Sequence, residues 1–190
     1  QVLENAPNIA FTDTALKNRV LGEAHFLRGL FLFHAVNMFK NVPVPTQIAA
    51  FYPQKTEAEG WAQVIADFKA AADLLPSTYS NAIDKGRATK GAALGYLGKA
   101  YLFTKDFPNA KIAFKQVIDL GVYSLVSDYK SIFDAEGEKG PEAVFEIPYR
   151  DTSKPPISIW EYNEVIKNLI KQNININEDS IFDAYIQMEE

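Results

Sequence analysis

The stretch EAHFLRGLFLFHAVNMFKNVPVPT, from Glu23 to Thr46, constrains the fold more than any other part of this chain. Apolar residues Leu16, Val20, Ala24, Leu27, Phe31, Ala35 and Met38 recur at intervals of three or four, the spacing of one helix face. That spacing predicts a helix from a cap at Thr12 or Asp13 to about Phe39, with this stripe turned to the core. Lys17, Arg19 and Glu23 fall mostly off the stripe. The two prolines of NVPVPT force extended backbone on the residues before them and end the helix. A membrane span needs roughly 20 mostly apolar residues, and the run from Leu30 to Phe39 is broken by His34 and Asn37. The helix must instead be buried against other helices.

The rest of the chain supplies partners for it. TEAEGWAQVIADFKAAADLLP opens with Thr56 and Glu59 spaced as a capping box. Trp61, Ile65, Phe68, Ala72 and Leu75 form its apolar face, and Pro76 closes it. After the polar loop STYSNAIDKG, a helix from about Arg87 carries Gly91, Gly95 and Gly98 along one side. Each interior glycine costs roughly 1 kcal/mol relative to alanine, so the three predict close approach of a neighbouring helix. KDFPN turns the chain, with Pro108 suited to a first helical position. The next helix, NAKIAFKQVIDLG, ends at Gly121 as a C-terminal cap. Beyond it VYSLV is β-like, DYKSIF fits a helical turn, and EAVFEIPY alternates with Ala143, Phe145, Ile147 and Tyr149 on one side. The expectation is thus a mainly α fold of antiparallel helix pairs with long loops and a small β element near 143–149. Residues 151–190 read as a continuation of the same domain, with helices near 161–172 and 179–188.

Composition excludes several functions. The 190 residues are 47% hydrophobic and 23% charged, an ordinary globular balance. The net charge of -5 and the lack of any Lys/Arg cluster argue against a nucleic-acid partner. There is no cysteine, hence no disulfide, thiolate metal site or cysteine nucleophile within the chain. His25 and His34 are nine positions apart, which puts them on opposite helix faces, unable to share a metal. Asp67, Asp73 and Glu142 are scattered carboxylates with no histidine or nucleophile beside them in sequence. GAALGYLG lies inside a helix, where its N–H groups are already bonded and cannot cradle phosphate. No catalytic residue, metal ligand or cofactor is assigned. No signal peptide is visible, and the chain starts in what reads as the end of a helix, so it is expected to be a piece of a longer protein.

Two consecutive helix pairs raise the question of a repeat. The second pair follows the tetratricopeptide pattern: Leu97-Gly98, then Tyr101, then Ala110, Phe114 and Val117, with the closing proline absent at Val122. The first pair matches more loosely through Phe68, Ala71 and Pro76, and its Asn41–Lys55 loop is far longer than a repeat turn. A more specific resemblance covers about residues 1–150. NRVLGEAHFLRGLFLFHAVNMFKNVPVPT, ADFKAAADLLP, GRATKGAALGYLGKAYLFTKDFPNAKIAFKQVI and the closing GVYSLVSDYKSIF and EAVFEIPY resemble, in order and spacing, the SusD/RagB family.

That resemblance implies a cell-surface, outer-membrane lipoprotein of a glycan-foraging Gram-negative bacterium. Its anchor would be a lipid on a cysteine outside this chain. It would capture oligosaccharides, in some cases peptides, for a TonB-dependent (SusC-like) transporter, as a binder and not an enzyme. The alternative is a tetratricopeptide-type scaffold that holds a protein partner in a helical groove. Arg28 would grip an anionic ligand or tie structure together, and its place in the family pattern favours the structural role. Gly91, Gly95 and Gly98 are likewise structural candidates. Sugar binding uses flat aromatic faces in irregular segments, which makes Phe51, Tyr52, Tyr149, Trp160 and Tyr162 the ligand-binding candidates; each is equally open to packing a loop onto the helices.

Overall fold

The computed structural model describes residues 1–84, 86–133 and 140–147. The chain divides into two compact units, Gln1–Leu125 with Pro141–Glu146, and Val126–Gly140 with Ile147–Glu190. The described part of the second unit contains a 3-10 turn at Tyr129–Phe133. The first unit is helical: α1 (Val2–Asn5), α2 (Thr14–Phe39), α3 (Glu57–Leu74), α4 (Lys90–Phe103) and α5 (Phe107–Asp119). α2 pairs with α3 and α4 with α5, while α3 packs on α4 to join the two pairs.

Local chemistry starts and stops these helices. Asp13 caps α2 by accepting from the N–H groups of Ala15 at 2.8 Å and Leu16 at 3.1 Å. Thr56 and Glu59 form the full capping box at the start of α3. The Glu59 carboxyl is lowered to about 2, first by the Thr56 N–H, then by the Thr56 hydroxyl and by Lys55. Thr89 caps α4 and Asp106 caps α5, which has Pro108 in its first turn. Gly121 follows α5 with φ +65°, the left-handed conformation that suits glycine at a helix exit.

The core runs along the α2–α3–α4 seam through Phe26, Leu30, Phe33, Val36, Val64, Phe68, Ala93 and Leu97. It is not built on the α2 stripe expected from periodicity. Leu16, Leu27, Phe31 and Met38 are exposed, the last two at 72% and 70%. The buried face is instead Gly22, Phe26, Gly29, Leu30, Leu32, Phe33 and Val36. α2 is apolar on two opposite sides, and glycine decides which one meets α3. A Cβ on Gly29 would lie 3.1 Å from the Phe68 ring, and one on Gly22 2.8 Å from Leu75.

The three α4 glycines have different surroundings. A Cβ on Gly98 would lie 2.5 Å from the Phe114 ring on α5, and one on Gly91 would meet Tyr123, which lies beyond α5. At Gly95 the nearest atom is Val144 Cγ1 at 3.8 Å, an ordinary contact, so close helix approach does not explain that glycine. Gly60 in α3 is far tighter than Gly95, its Cβ position being 2.6 Å from Cγ2 of the fully buried Val36. A β-branched side chain has little freedom to turn away. Gly60→Ala is therefore expected to destabilise the chain by about 1–2 kcal/mol, while Gly95→Ala stabilises it by about 0.5–1 kcal/mol. Urea unfolding of the two variants checks both signs.

The β element expected near 143–149 is not formed among the described residues. Residues 143–147 are not in a strand, and 148 and 149 lie outside the described residues, as do the expected helices near 161–172 and 179–188. Alternation there places Phe145 against the Phe26 ring, with centroids 4.8 Å apart. VYSLV also forms no strand; its Ser124 N–H donates to the Pro141 carbonyl at 3.0 Å.

Candidate functional site

The long connection between α2 and α3 holds two of the aromatics expected from sequence, Phe51 and Tyr52. Lys40 ends α2 with φ +63° and turns the chain outward. A neck then closes the loop at its base. Pro43 and Gln54 form an antiparallel bridge, and the Lys55 N–H donates to the Val42 carbonyl at 2.9 Å. Gln54 Nε2 donates to the Asn41 carbonyl at 2.8 Å, and the Glu57 N–H donates to Asn41 Oδ1 at 2.9 Å. Val42 is buried beneath this neck.

Beyond the neck lie the two aromatics expected from sequence, and they play different parts. The Tyr52 hydroxyl donates to the Gln47 carbonyl at 2.8 Å and accepts from the Ala49 N–H at 3.0 Å, so it braces the loop internally. Phe51 is 78% exposed, presenting a bare aromatic face. The Ile48 N–H donates to Glu4 Oε1 at 2.7 Å, tying the loop tip to α1. A cleft of 240 Å³ opens here, lined by Glu4, Arg28, Gln47, Ile48 and Tyr52 among others. Tyr149, Trp160 and Tyr162 lie outside the described residues.

Arg28 lines this cleft too, and its guanidinium is engaged by Asp67. Its Nε donates to Asp67 Oδ2 at 2.8 Å and its Nη2 to Asp67 Oδ1 at 2.7 Å, a two-pronged grip on a carboxylate that is 1% exposed. His25 Nδ1 lies 2.8 Å from the same Oδ1. Burial by itself raises the Asp67 pKa; the hydrogen bonds from His25 and Arg28, the Arg28 charge and Gln63 outweigh it and hold the carboxyl below its ordinary value. Asp67 therefore has the histidine partner that its sequence neighbourhood lacks, contributed from 42 residues away. The sequence signal was a carboxylate on the apolar face of α3, three residues after Val64 and next to Phe68. Both carboxylate oxygens are occupied by α2 side chains, so the cluster is a clamp between helices.

His34 is on the opposite side of α2, exposed, its ring 5.5 Å from Phe33. Among the described residues no group of three His, Cys, Asp or Glu side chains is placed to hold a metal, and no helix is long and apolar enough to cross a membrane. A second, larger cleft of 510 Å³ lies over α3, α4 and α5, bordered by Lys69, Asp73, Lys90, Tyr101, Asn109 and Asp119.

The described helices pair as antiparallel hairpins, a mainly α frame, and comparison with known proteins gives the family. The family model described as SusD-like, starch-binding associating with outer membrane, matches residues 2–102. The chain belongs to the SusD-like family. It is 29% identical over 161 residues to SusD-like protein P2 of Formosa agariphila, covering 78% of this chain and 31% of that protein. A SusD-like carbohydrate-binding protein from Bacteroides fragilis superposes with a TM-score of 0.70 at 27% identity, over 80% of this chain and 31% of its own. Surface glycan-binding protein A from Bacteroides uniformis gives a TM-score of 0.70 at 25% identity, over 77% and 34%. The chain thus spans about a third of these relatives' length.

Proposed function

We propose that this chain is the helical part of a surface glycan-binding protein that holds oligosaccharides at the outer membrane for a TonB-dependent transporter. The reading is supported by membership of a family whose model is described as starch-binding. The observation that carries it to a site is Phe51, an exposed aromatic face on a loop braced by Tyr52 and sealed at its neck. An aromatic ring fixed in a loop loses little freedom on binding and offers a flat apolar surface to the C–H face of a pyranose. The mechanism is equilibrium binding, with no bond made or broken; a raised local sugar concentration is the whole effect. Lipid anchoring of the longer protein at the cell surface belongs to the same proposal.

Isothermal titration of the full-length protein against a panel of starch and β-glucan oligosaccharides tests this. Binding of at least one glycan is expected, weakened about tenfold by Phe51→Ala with no change in unfolding midpoint, the loss of one stacked ring. No binding across the panel would overturn the function; unchanged binding by the variant would remove Phe51 alone from the site. The 510 Å³ cleft over α3–α5 supports a second reading, a scaffold holding a protein segment. Capture of a peptide in place of any glycan would favour it.

A further inference from the structure

Residues 45–51 at the tip of the α2–α3 connection are all exposed, so side-chain packing does not hold them. Hydrogen bonds do so instead. The two made by the Tyr52 hydroxyl, to the Gln47 carbonyl and from the Ala49 N–H, stay within the loop and fix its shape. The bond from the Ile48 N–H to Glu4 Oε1, at 2.7 Å, leaves the loop and fixes its place. A carboxylate acceptor makes it the stronger kind of bond.

Glu4 is itself anchored. α1 packs on α2, Ala6 just beyond it is 4% exposed, and Lys17 Nζ donates to the Pro7 carbonyl at 3.4 Å. The rigidity of α2 thus passes through α1 and Glu4 to Ile48, three residues before Phe51. Tyr52 fastens the chain immediately after Phe51, so only Ala49, Ala50 and Phe51 lie between the two fastenings. Resting on the reading of Phe51 as a sugar platform, we infer that Glu4 is a positioning residue for it. Glu4 acts through the Ile48 N–H to hold the ring where a pyranose stacks, and does not itself touch the glycan. A tip left free has to be ordered at each binding event, and that lost entropy appears as lost affinity. Glu4 orders the tip before the sugar arrives.

The test compares full-length wild type and Glu4→Ala by hydrogen exchange without ligand, and by titration with the starch and β-glucan oligosaccharides. Exchange at the Ile48 amide is expected to quicken about tenfold, the loss of one charge-assisted bond, with exchange in α2 and α3 unchanged. Affinity should fall roughly fivefold, the effect of one newly mobile segment. Glu4→Gln, which keeps an acceptor oxygen, should restore most of it. The deciding readout is the cycle with Phe51→Ala, because a residue that works only through the ring has nothing to lose once the ring is gone. The double variant should therefore bind as Phe51→Ala does. A loss that persists in the Phe51→Ala background would overturn the inference, since Glu4 would then meet the glycan itself. Unchanged exchange at Ile48, or unchanged affinity of Glu4→Ala when wild type binds glycan, would overturn it as well. A wild type that binds no glycan would overturn the reading of Phe51 and this inference with it.

Discussion

Asp67→Ala is expected to destabilise the helical unit by about 3 kcal/mol, measured by urea unfolding followed by far-ultraviolet circular dichroism. Removing one partner of a buried ion pair leaves the other charge uncompensated, a loss of about 3–5 kcal/mol. The low end applies because Arg28 retains 19% side-chain exposure and reaches some water. Arg28→Leu with Asp67→Leu should cost less than the two single changes added together, because the double variant leaves no orphaned charge between those two positions. The pH dependence has a fixed sign. The Asp67 carboxyl is held below its ordinary value of 3.8, so its contribution is complete above that value and fades as pH falls through the lowered folded one. Wild type and Asp67→Ala should therefore differ by a constant amount near neutrality and converge in acid. A loss below about 1 kcal/mol, or a gap that widens in acid, would show that the clamp contributes little.

The other large effect is expected at Phe26→Ala, a loss of about 3–5 kcal/mol. Phe26 is fully buried and its ring meets Phe68 at 5.8 Å, Tyr96 at 5.8 Å and Phe145 at 4.8 Å, all edge-on. Those neighbours come from α3, α4 and the returning segment Pro141–Glu146. Tyr96 stacks in turn on Phe68 with centroids 5.4 Å apart, so the cluster has few ways to collapse into the space left behind. A dry apolar cavity of this kind takes up benzene or xenon. Benzene should accordingly raise the unfolding midpoint of the variant and leave that of wild type unchanged. Hydrogen exchange at 141–146 should quicken in the variant, since Phe145 loses its nearest ring. Equal protection of that segment in both proteins would show that it is held by other contacts.

Most helix limits were legible because capping is local: Asp13, the Thr56–Glu59 box, Pro108 and Gly121 each act within a few residues. The buried side of α2 was not legible, because a helix apolar on two faces gives periodicity no reason to prefer either. Gly22 and Gly29 held the answer in their spacing, but only the approach of Phe68 and Leu75 gives that spacing meaning. The alternation at 143–147 placed Phe145 on the core correctly, but Ile147 is exposed, Val144 and Glu146 are as half-buried as Ala143, and no strand forms; alternation in a short segment requires neither one-sided burial nor a ladder. The Asp67 clamp joins residues 39 and 42 positions apart, beyond the reach of any local pattern. At the loop, exposure of Phe51 could be expected from an irregular segment between two helices, whereas the bracing role of the Tyr52 hydroxyl depends on backbone groups that only the folded loop brings near.

The neck beneath that loop has a consequence for how such a protein can change. Because Asn41, Val42, Gln54 and Lys55 close it at the base, with Val44 packed against the core beside them, and Asp67 sets the alignment of α2 on α3 independently, residues 45–53 add no side chain to the core below them. Closure entropy grows only with the logarithm of length, so doubling the tip costs about 0.6 kcal/mol. The tip can therefore be lengthened, shortened or rewritten at small thermodynamic cost while the helical frame beneath it stays the same.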